Sequence, residues 1–211
     1  MRYNELTFQG RNAVLEAFRS GKTIDKLFIL DGCQDGPIKS IVREAKKTDA
    51  IINYVDKERL DRLAGTGHHQ GVVAIGAAYE YAEVDDILAS AKEKGEDPFI
   101  FILDEIEDPH NLGAIIRTAN LAGAHGVIIP KRRAVGLTAT VAKTSAGAIN
   151  YTPVAKVTNI SQTIEELKKQ GLWFVCADMG GETMYNLNLK GPIGLVIGNE
   201  GNGVSRLVKV K

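Results

Sequence analysis

The sequence predicts an α/β protein in which an acidic connector joins two small domains. Short apolar runs alternate with segments of helical period along the chain, the pattern of alternating strands and helices. The run Phe99–Leu103 is continuously apolar and rich in aromatic and branched residues, as buried strands of parallel sheets are. Residues 76–98 carry seven acidic and two basic side chains, so the charge balance changes there. We expect a first α/β/α domain over residues 1–77, a linker over 78–97 and a mostly parallel α/β domain over 98–211.

Residues 1–77 contain segments of helical period separated by apolar runs of strand length. The turn at residues 68–71, His-His-Gln-Gly, precedes the last of these runs. No cysteine or carboxylate stands at ligand spacing from its histidines, so we interpret them as part of a tight turn rather than as a metal site or general base. Helices are expected at Arg11–Ser20, Ile38–Lys47 and Lys57–Leu63, and strands at Leu27–Leu30, Ile51–Val55 and Gly71–Ala77.

The first predicted helix begins with Gly-Arg-Asn at residues 10–12, an arrangement suited to phosphate binding. A helix N-terminus presents free backbone N–H groups, and a guanidinium forms paired hydrogen bonds with phosphate. The stretch Gly10–Ala17 also resembles the helix start that kink-turn-binding ribosomal proteins press against RNA. Arg11, Asn12 and Lys22 are therefore candidate RNA-binding residues. An ordinary glycine-preceded helix cap is the alternative.

The second domain opens with a strand–loop–helix–strand unit. An acidic loop follows the strand Phe99–Leu103, and Asn111 stands where a helix N-cap is expected. Gly123 is placed to end that helix in a left-handed conformation, before a strand at Val127–Ile129. Ligands of open α/β sheets gather at the carboxyl ends of strands, where this loop lies. The buried stripe of the helix is expected at Leu112, Ile115, Ala119 and Ala122.

A cationic loop, Lys131-Arg132-Arg133, leaves the next strand on the side expected for Asn111 and Arg117. Contact with an RNA backbone is one interpretation of these three cations, and a solvated sheet edge is the other.

The rest of the second domain continues the alternation of helices and strands. The segment Leu137–Ala148 is rich in alanine, serine, threonine and glycine, so we expect a helix packed closely against the sheet or a second subunit. A short strand is expected at Val154, a helix at Ser161–Gln170 capped by Asn159 and packed through Ile164, Leu167 and Lys168, and core strands at Trp173–Ala177 and Ile193–Ile197.

A glycine-rich loop, Gly198-Asn-Glu-Gly-Asn-Gly203, follows the last predicted strand. It lacks the spacing of a dinucleotide-binding loop, and no Gly-Lys-Ser/Thr marks a P-loop. Its glycines allow backbone groups to approach a flat ligand closely. An enzyme acting on some adenosine-containing ligand is one function consistent with such a loop.

Two motifs resemble those of the SpoU (TrmH) class of RNA ribose methyltransferases. The stretch Asn111–Ala119 resembles the first motif of that class, and Gly198–Gly203 with its preceding strand resembles the second. The similarity extends over nearly the whole chain and is nearest to the 23S rRNA guanosine 2′-O-methyltransferase branch. It implies a SPOUT α/β-knot domain behind a substrate-binding domain, S-adenosylmethionine as cofactor, 23S rRNA as partner and a homodimer.

The resemblance also implies roles for individual residues. Arg117 is the implied catalytic residue; because a guanidinium stays protonated in proteins, we expect it to clamp phosphate and stabilise the oxyanion rather than act as a base. Asn111 is expected to orient the loop and the ribose. No metal is required, because the methyl donor is already activated. The implied cofactor-binding residues are Gly198, Asn199, Glu200 and Gly201, with Ala177 added by topology.

The chain departs from the family pattern at its C-terminal end. Members of the class continue into a third motif that completes the adenosine pocket and threads the knot. We expect the chain ending at Lys211 to lack that motif, to bind S-adenosylmethionine at least tenfold more weakly than a longer version and to transfer no methyl group. A non-catalytic RNA-binding protein is therefore the alternative function.

Composition limits the other classes of function. The net charge is zero, which argues against a protein that coats nucleic acid by charge alone. No apolar run approaches the length of a membrane span and no leader is recognisable, so we expect a cytoplasmic protein without membrane contact. Cys33 and Cys176 match no metal or redox spacing, and both are expected to be small buried residues in a reducing compartment.

Overall fold

The computed structural model describes residues 6–48, 50–65 and 67–209, which fall into two compact units. The first unit comprises the described residues up to Glu80 together with Gly136–Ala139. The second comprises Tyr81–Val135 and the described residues from Thr140 onward. In the described part of the chain, no helix is long and apolar enough to cross a membrane.

The first unit is a four-stranded mixed sheet with helices on both faces. Strands β2 and β3 are parallel, and β4 runs antiparallel to both β1 and β2, in the order β1-β4-β2-β3. Alternate residues of a strand point to opposite faces, so Leu27 and Ile29 pack under α1 and α2 while Phe28 packs under α3. The elements are β1 (Leu6–Gln9), α1 (Arg11–Arg19), β2 (Ile24–Leu30), α2 (Gly36–Lys47), β3 (Ile51–Val55), α3 (Lys57–Ala64) and β4 (Val72–Gly76).

The turn before β4 is held by the hydrogen bonds of one buried histidine, which confirms its interpretation as a turn. His69 is buried; its Nδ1 accepts from Gly71 N at 3.0 Å, and its Nε2 lies 2.8 Å from Asp61 Oδ1. Gln70 and Gly71 both have positive φ, at 50° and 80°. Both ring nitrogens of His69 therefore take part in contacts that hold the chain reversal before β4.

The second unit has a five-stranded parallel sheet in the order β7-β6-β5-β9-β8, which confirms the mostly parallel α/β architecture expected from the sequence. Its core joins Ile100, Ile128 and Val196 of the sheet to Ile164 and Leu167 of α7. The elements are α4 (Val84–Lys94), β5 (Phe99–Leu103), α5 (Pro109–Leu121), β6 (Gly126–Pro130), α6 (Ala139–Thr144), β7 (Val154–Val157), α7 (Ile160–Lys169), β8 (Trp173–Ala177), β9 (Ile193–Ile197) and α8 (Arg206–Lys209).

Helix α5 begins earlier than the sequence suggested, and the prediction of Asn111 as its N-cap was wrong. Asp108 is the cap: its carboxylate accepts from His110 N at 2.6 Å and from Asn111 N at 3.4 Å. Pro109 occupies the first helical position, where its missing N–H costs no hydrogen bond. At the other end, Gly123 has a φ of 75° after the C-cap, as predicted.

The buried face of α5 is rotated from the predicted stripe towards Gly113. Ile115 is half-buried and Ala122 is exposed, which corrects their assignment to the core. The rotation follows from a close approach to α6, because a Cβ on Gly113 would lie 2.7 Å from Thr144 Cβ. The buried residues of α5 are Leu112, Gly113, Ile116 and Ala119.

Two further expectations about packing were wrong. Leu137–Ala148 is not one helix, because Ala146 and Gly147, with φ of 51° and 89°, separate the short α6 from a 3₁₀ turn at Ala148–Asn150. Asn159 does cap α7, accepting from Gln162 N, but Lys168 is exposed. The buried residues of α7 are Ile160, Thr163, Ile164 and Leu167.

Strand β8 is an edge strand rather than the expected core strand. It pairs with β9 on one side only, so Cys176 and Ala177 at its end are exposed. The prediction of a buried Cys176 was therefore wrong, and Cys33 is half-buried. Residues 178–190, which connect β8 to β9, are exposed throughout.

Candidate active site

The loop after β9 folds back on itself, and glycine is required for that shape. A Cβ on Gly198 would overlap the backbone of Gly203 and Val204, so no side chain fits there. The reversal is closed by Gly203 N, which donates to Asn199 O at 2.8 Å. Gly203 itself has a φ of 66°. The loop therefore presents backbone groups directly at the carboxyl edge of the sheet.

Two side-chain contacts fasten this loop to the acidic loop after β5, the neighbouring strand. Asp104 is buried, and its Oδ2 accepts from Ser205 N at 2.7 Å. Asn199 Nδ2 donates to Glu105 O at 3.0 Å, and its Oδ1 accepts from Gly201 N at 2.8 Å. Hence the loop that leads into α5 and the glycine loop form one hydrogen-bonded structure. Sequence reasoning missed the role of Asp104, although an acid directly after a buried strand was a usable signal.

An open cleft of about 560 Å³ lies over the glycine loop and the end of β8. Ala177 pairs with Ile197 across the two strands, which places the end of β8 beside the loop. The volume is within the range of small-molecule sites. The cleft brings together all the residues predicted to bind cofactor; its lining is Ala177, Asp178, Met179, Ile197, Gly198, Asn199, Glu200, Gly201, Asn202 and Gly203.

The chemistry of this lining fits an adenosine-containing cofactor. Backbone N–H and C=O groups of a glycine loop can read the edge of a base, and Ile197 offers an apolar contact to its face. Asp178 and Glu200 provide carboxylates that accept hydrogen bonds from hydroxyl or amino groups. The cleft therefore has the donor, acceptor and apolar groups that such a ligand requires.

The predicted catalytic residues lie on α5, outside the lining of the cleft. Asn111 is half-buried in the first turn of the helix. Arg117 is exposed and stands roughly 9 Å farther along the helix axis at the usual rise per residue. Among the described residues, the Arg117 guanidinium makes no side-chain hydrogen bond or ion pair. The guanidinium of Arg117 is thus available to bind an anion from outside the protein.

The cationic loop after β6 is partly engaged within the protein. Arg133 Nη1 donates to Glu105 Oε1 at 2.9 Å, and this hydrogen bond and the carboxylate charge raise the pKa of Arg133. Lys131 is half-buried, whereas Arg132 is exposed. Arg132 and Arg133 are therefore both presented to solvent, although Arg133 is paired with Glu105.

In the first unit, Arg11 and Asn12 lie together and Lys22 lies apart. Arg11 donates through Nη2 to Asp35 and through Nε to Gln70 O at 3.2 Å, so its guanidinium is held at the start of α1. Asn12 is exposed and lines the same surface depression as Arg11. Lys22 lies beyond the other end of the helix, whose first and last residues, Arg11 and Arg19, stand roughly 12 Å apart by helix rise.

Within residues 6–48, 50–65 and 67–209, no group of three histidine, cysteine, aspartate or glutamate residues is placed to hold a metal ion.

A parallel α/β unit with a glycine loop at its carboxyl edge and a helix that bears an exposed arginine is suited to binding a nucleoside cofactor and an anionic substrate. Residues 98–211 match the profile of the SpoU rRNA Methylase family, and residues 9–82 match the profile for RNA 2'-O ribose methyltransferase substrate binding. The chain belongs to the SpoU rRNA methylase family, whose members are S-adenosylmethionine-dependent RNA methyltransferases. The resemblance drawn from the two motifs is confirmed.

Curated relatives align along most of the chain. The TrmH family tRNA/rRNA methyltransferase YacO of Bacillus subtilis is 52% identical over 203 residues, which cover 96% of this chain and 81% of that protein. A TrmH family tRNA/rRNA methyltransferase of Staphylococcus haemolyticus is 48% identical over 208 residues, covering 98% of this chain and 83% of that one.

Solved structures share the fold at lower identity. The SpoU methyltransferase AviRb of Streptomyces viridochromogenes, in complex with AdoMet, has a TM-score of 0.56 and 20% identity, covering 98% of this chain and 77% of that chain. The AdoMet-bound rRNA methyltransferase of Sinorhizobium meliloti has a TM-score of 0.53 and 22% identity, covering 97% of this chain and 75% of that chain. These similarities confirm the predicted fold class.

Proposed function

We propose that this protein methylates the 2′-hydroxyl of a guanosine ribose in 23S rRNA, in the cytoplasm, with S-adenosylmethionine as methyl donor. The observation that carries the proposal is the joined structure of two loops, in which Asp104 and Asn199 fasten the glycine loop to the segment that leads into α5. Because α5 begins at the end of that segment, the arrangement supports a cofactor cleft near the start of the helix that bears Arg117. Residues 1–77 bind the RNA, residues 78–97 link the domains, and residues 98–211 carry the reaction.

Cofactor binding is assigned to the cleft over the glycine loop. Gly198, Asn199, Glu200, Gly201 and Ala177 line it together, which supports their proposed role as cofactor-binding residues. When bound, S-adenosylmethionine would supply a methyl group on a sulfonium and leave as S-adenosylhomocysteine, while the proton of the 2′-hydroxyl passes to solvent water. The two hydrogen bonds of Asn199 keep the loop in shape, so we assign this side chain to positioning the loop as well as to lining the cleft.

Arg117 is the proposed catalytic residue. Its guanidinium is exposed and unpaired among the described residues, so it is free to bind an RNA phosphate and to stabilise negative charge on the ribose oxygen. A fixed fork of N–H donors suits both tasks, since it holds the substrate and acts without a change of protonation state. Asn111, at the start of the same helix, is proposed to orient the ribose.

RNA binding is assigned to two groups of cations. In the first unit, Arg11 and Asn12 at the start of α1 contact phosphate, and Lys22 extends the contact to the other end of the helix. In the second, Arg132 and Lys131 contact the RNA backbone, and Arg133 joins them when an RNA phosphate replaces Glu105. These contacts fix the position of the RNA without reading its sequence.

A homodimer is also proposed. The exposed edge strand β8 and the chain that follows it carry apolar side chains in solvent, among them Met179 at 96%, Tyr185 at 87% and Met184 at 60% exposure. Apolar surface of this kind is stabilised when a partner covers it. Analytical ultracentrifugation of the protein should give twice the mass of one chain.

Methyl transfer to separated RNA classes tests the proposed substrate. The protein, extended at its C-terminus through a third family motif, is incubated with labelled S-adenosylmethionine and with 23S rRNA, 16S rRNA or bulk tRNA that lacks modifications. The RNA is then digested to nucleosides, and we expect label in 2′-O-methylguanosine from 23S rRNA only. Label in tRNA, in another nucleoside or on a base would contradict the corresponding part of the proposal.

A further inference from the structure

Asp178 lines the cofactor cleft at the end of β8. It is the first residue after β8, whose last residue, Ala177, pairs with Ile197 of β9. Its carboxylate faces the glycine loop, because a Cβ built on Gly203 would lie 3.4 Å from Asp178 Oδ1. Of the residues that line the cleft, only Asp178 and Glu200 carry an acidic side chain.

The carboxylate of Asp178 is fixed in place before any ligand arrives. Its Oδ1 accepts from Met179 N at 3.0 Å, and its Oδ2 is paired with Lys209 Nζ at 2.5 Å. The hydrogen bond from Lys209, followed by that from Met179 N, lowers the pKa of Asp178, so the group is ionised at neutral pH. An ionised carboxylate has about four acceptor positions. The two contacts within the protein leave positions on both oxygens open to further donors.

We propose that Asp178 binds the ribose of the cofactor, its two oxygens accepting hydrogen bonds from the vicinal 2′- and 3′-hydroxyl groups. The inference rests on the proposed S-adenosylmethionine site and specifies which part of that molecule meets the end of β8. It makes Asp178 a specificity-determining residue that selects ribonucleosides for the cleft.

Lys209, which is paired with Asp178, favours the ribose hydroxyls of the cofactor over its ammonium group as partners of this carboxylate. S-adenosylmethionine carries neutral hydroxyls on its ribose and a cationic ammonium on its methionine part. Lys209 already lies against Asp178, so an ammonium at the same carboxylate would meet a like charge, whereas neutral hydroxyls would not. The adjacent positions of the two hydroxyls also match the two oxygens of one carboxylate. The position of Asp178 therefore favours the ribose over the amino acid part.

Binding measurements on the whole chain test the assignment with adenosine and 2′,3′-dideoxyadenosine, which differ only in the two hydroxyls. The unaltered protein should bind adenosine about tenfold or more tightly than its dideoxy counterpart, as expected for hydrogen bonds to a charged acceptor. In Asp178→Asn this preference should fall to about twofold. Glu182→Gln, a matched change at an exposed acid outside the cleft lining, should leave the preference intact.

Two more comparisons separate rival explanations. If Asp178 acted only by anchoring Lys209, then Lys209→Met would lose the preference for adenosine over its dideoxy counterpart, as Asp178→Asn does. We expect the Lys209→Met protein to retain that preference. If the carboxylate bound the ammonium, Asp178→Asn would weaken the binding of S-adenosylhomocysteine much more than the binding of 5′-methylthioadenosine, which lacks the amino acid part. We expect equal weakening of both. An unchanged preference in Asp178→Asn overturns the inference alone, whereas failure of the unaltered protein to bind S-adenosylhomocysteine overturns the cofactor site itself.

Discussion

Removal of the Asp104 carboxylate should loosen the glycine loop and weaken cofactor binding. Asp104 is buried after β5, and its Oδ2 accepts from Ser205 N at 2.7 Å, where the chain leaves the loop. A hydrogen bond to a charged acceptor contributes about 1.5–3 kcal/mol. Each 1.4 kcal/mol corresponds to about tenfold in affinity. If this loss falls on the ordered form of the loop, the Asp104→Ala protein should bind S-adenosylhomocysteine roughly tenfold to 150-fold more weakly.

Calorimetric titration of the Asp104 variants measures this effect, and two controls sharpen it. Asp104→Asn keeps an oxygen that can accept from Ser205 N, so its loss should be smaller, about tenfold at most, in line with a neutral hydrogen bond. Asp97→Ala removes an exposed acid before the same strand and should bind like the unaltered protein. Unchanged affinity in Asp104→Ala would refute the idea that this contact holds the loop in its binding shape.

Two further predictions concern helix packing and RNA binding. Gly113→Ala should lower the free energy of unfolding by about 1–2 kcal/mol, because overpacking against Thr144 outweighs the better helix propensity of alanine. Thermal unfolding should show a melting temperature lower by roughly 2–8 °C, and an unchanged melting temperature would contradict the close packing of α5 on α6. Replacing Arg11 and Lys22 by alanine should weaken binding by a similar factor for every RNA sequence and reduce the salt slope by about one per phosphate contact. Unaltered RNA affinity in titrations from low to moderate salt would remove this helix from the RNA-binding surface.

The central architecture of the second domain could be predicted because its strands are continuous apolar runs. Phe99–Leu103 and Ile193–Ile197 were placed with the observed bounds, since a strand buried on both faces leaves no polar interruption. The neighbouring strand β8 is an equally continuous apolar run in the sequence. Its position at the sheet edge depends on strand order, which hydrophobic periodicity does not encode, so Cys176 was assigned to the interior although it is exposed.

Local signals failed where two alternatives competed within a few residues. Asn111 and Asp108 are both good N-cap residues, and Pro109 decides for Asp108 because proline fits the first helical position. Strand β1 was missed, since it is a short edge strand without an uninterrupted apolar run. The end of α6 at Thr144 depends on left-handed backbone at Ala146, and alanine gives no sign of that conformation.

The sequence predicted which residues form the candidate site, but it did not predict the contacts between them. The motifs identified the glycine loop and Arg117, and the structure collects the cofactor candidates in one cleft. The position of Asp104 directly after a buried strand marks it as a candidate, but its partner Ser205 lies 101 positions away, so no local pattern could identify the contact. For the same reason, the ion pair between Arg133 and Glu105 was not foreseen, and it leaves that cation less available than its sequence implied.

Methyl transfer by Arg117 variants tests the central claim most directly. The variants are made in a version of the protein extended at its C-terminus through a third family motif. Initial rates are measured with labelled S-adenosylmethionine and 23S rRNA, alongside binding of S-adenosylhomocysteine to the same preparations. Arg117→Ala should lose about 10²-fold or more in rate, the effect of removing one donor that stabilises the transition state, while cofactor affinity changes by less than about twofold. Arg117→Lys keeps the charge without the planar fork and should recover only part of the rate. A fully active Arg117→Ala would contradict a catalytic role for this residue. RNA binding without methyl transfer, in the protein extended through a third family motif and with Arg117 in place, would contradict the enzymatic function.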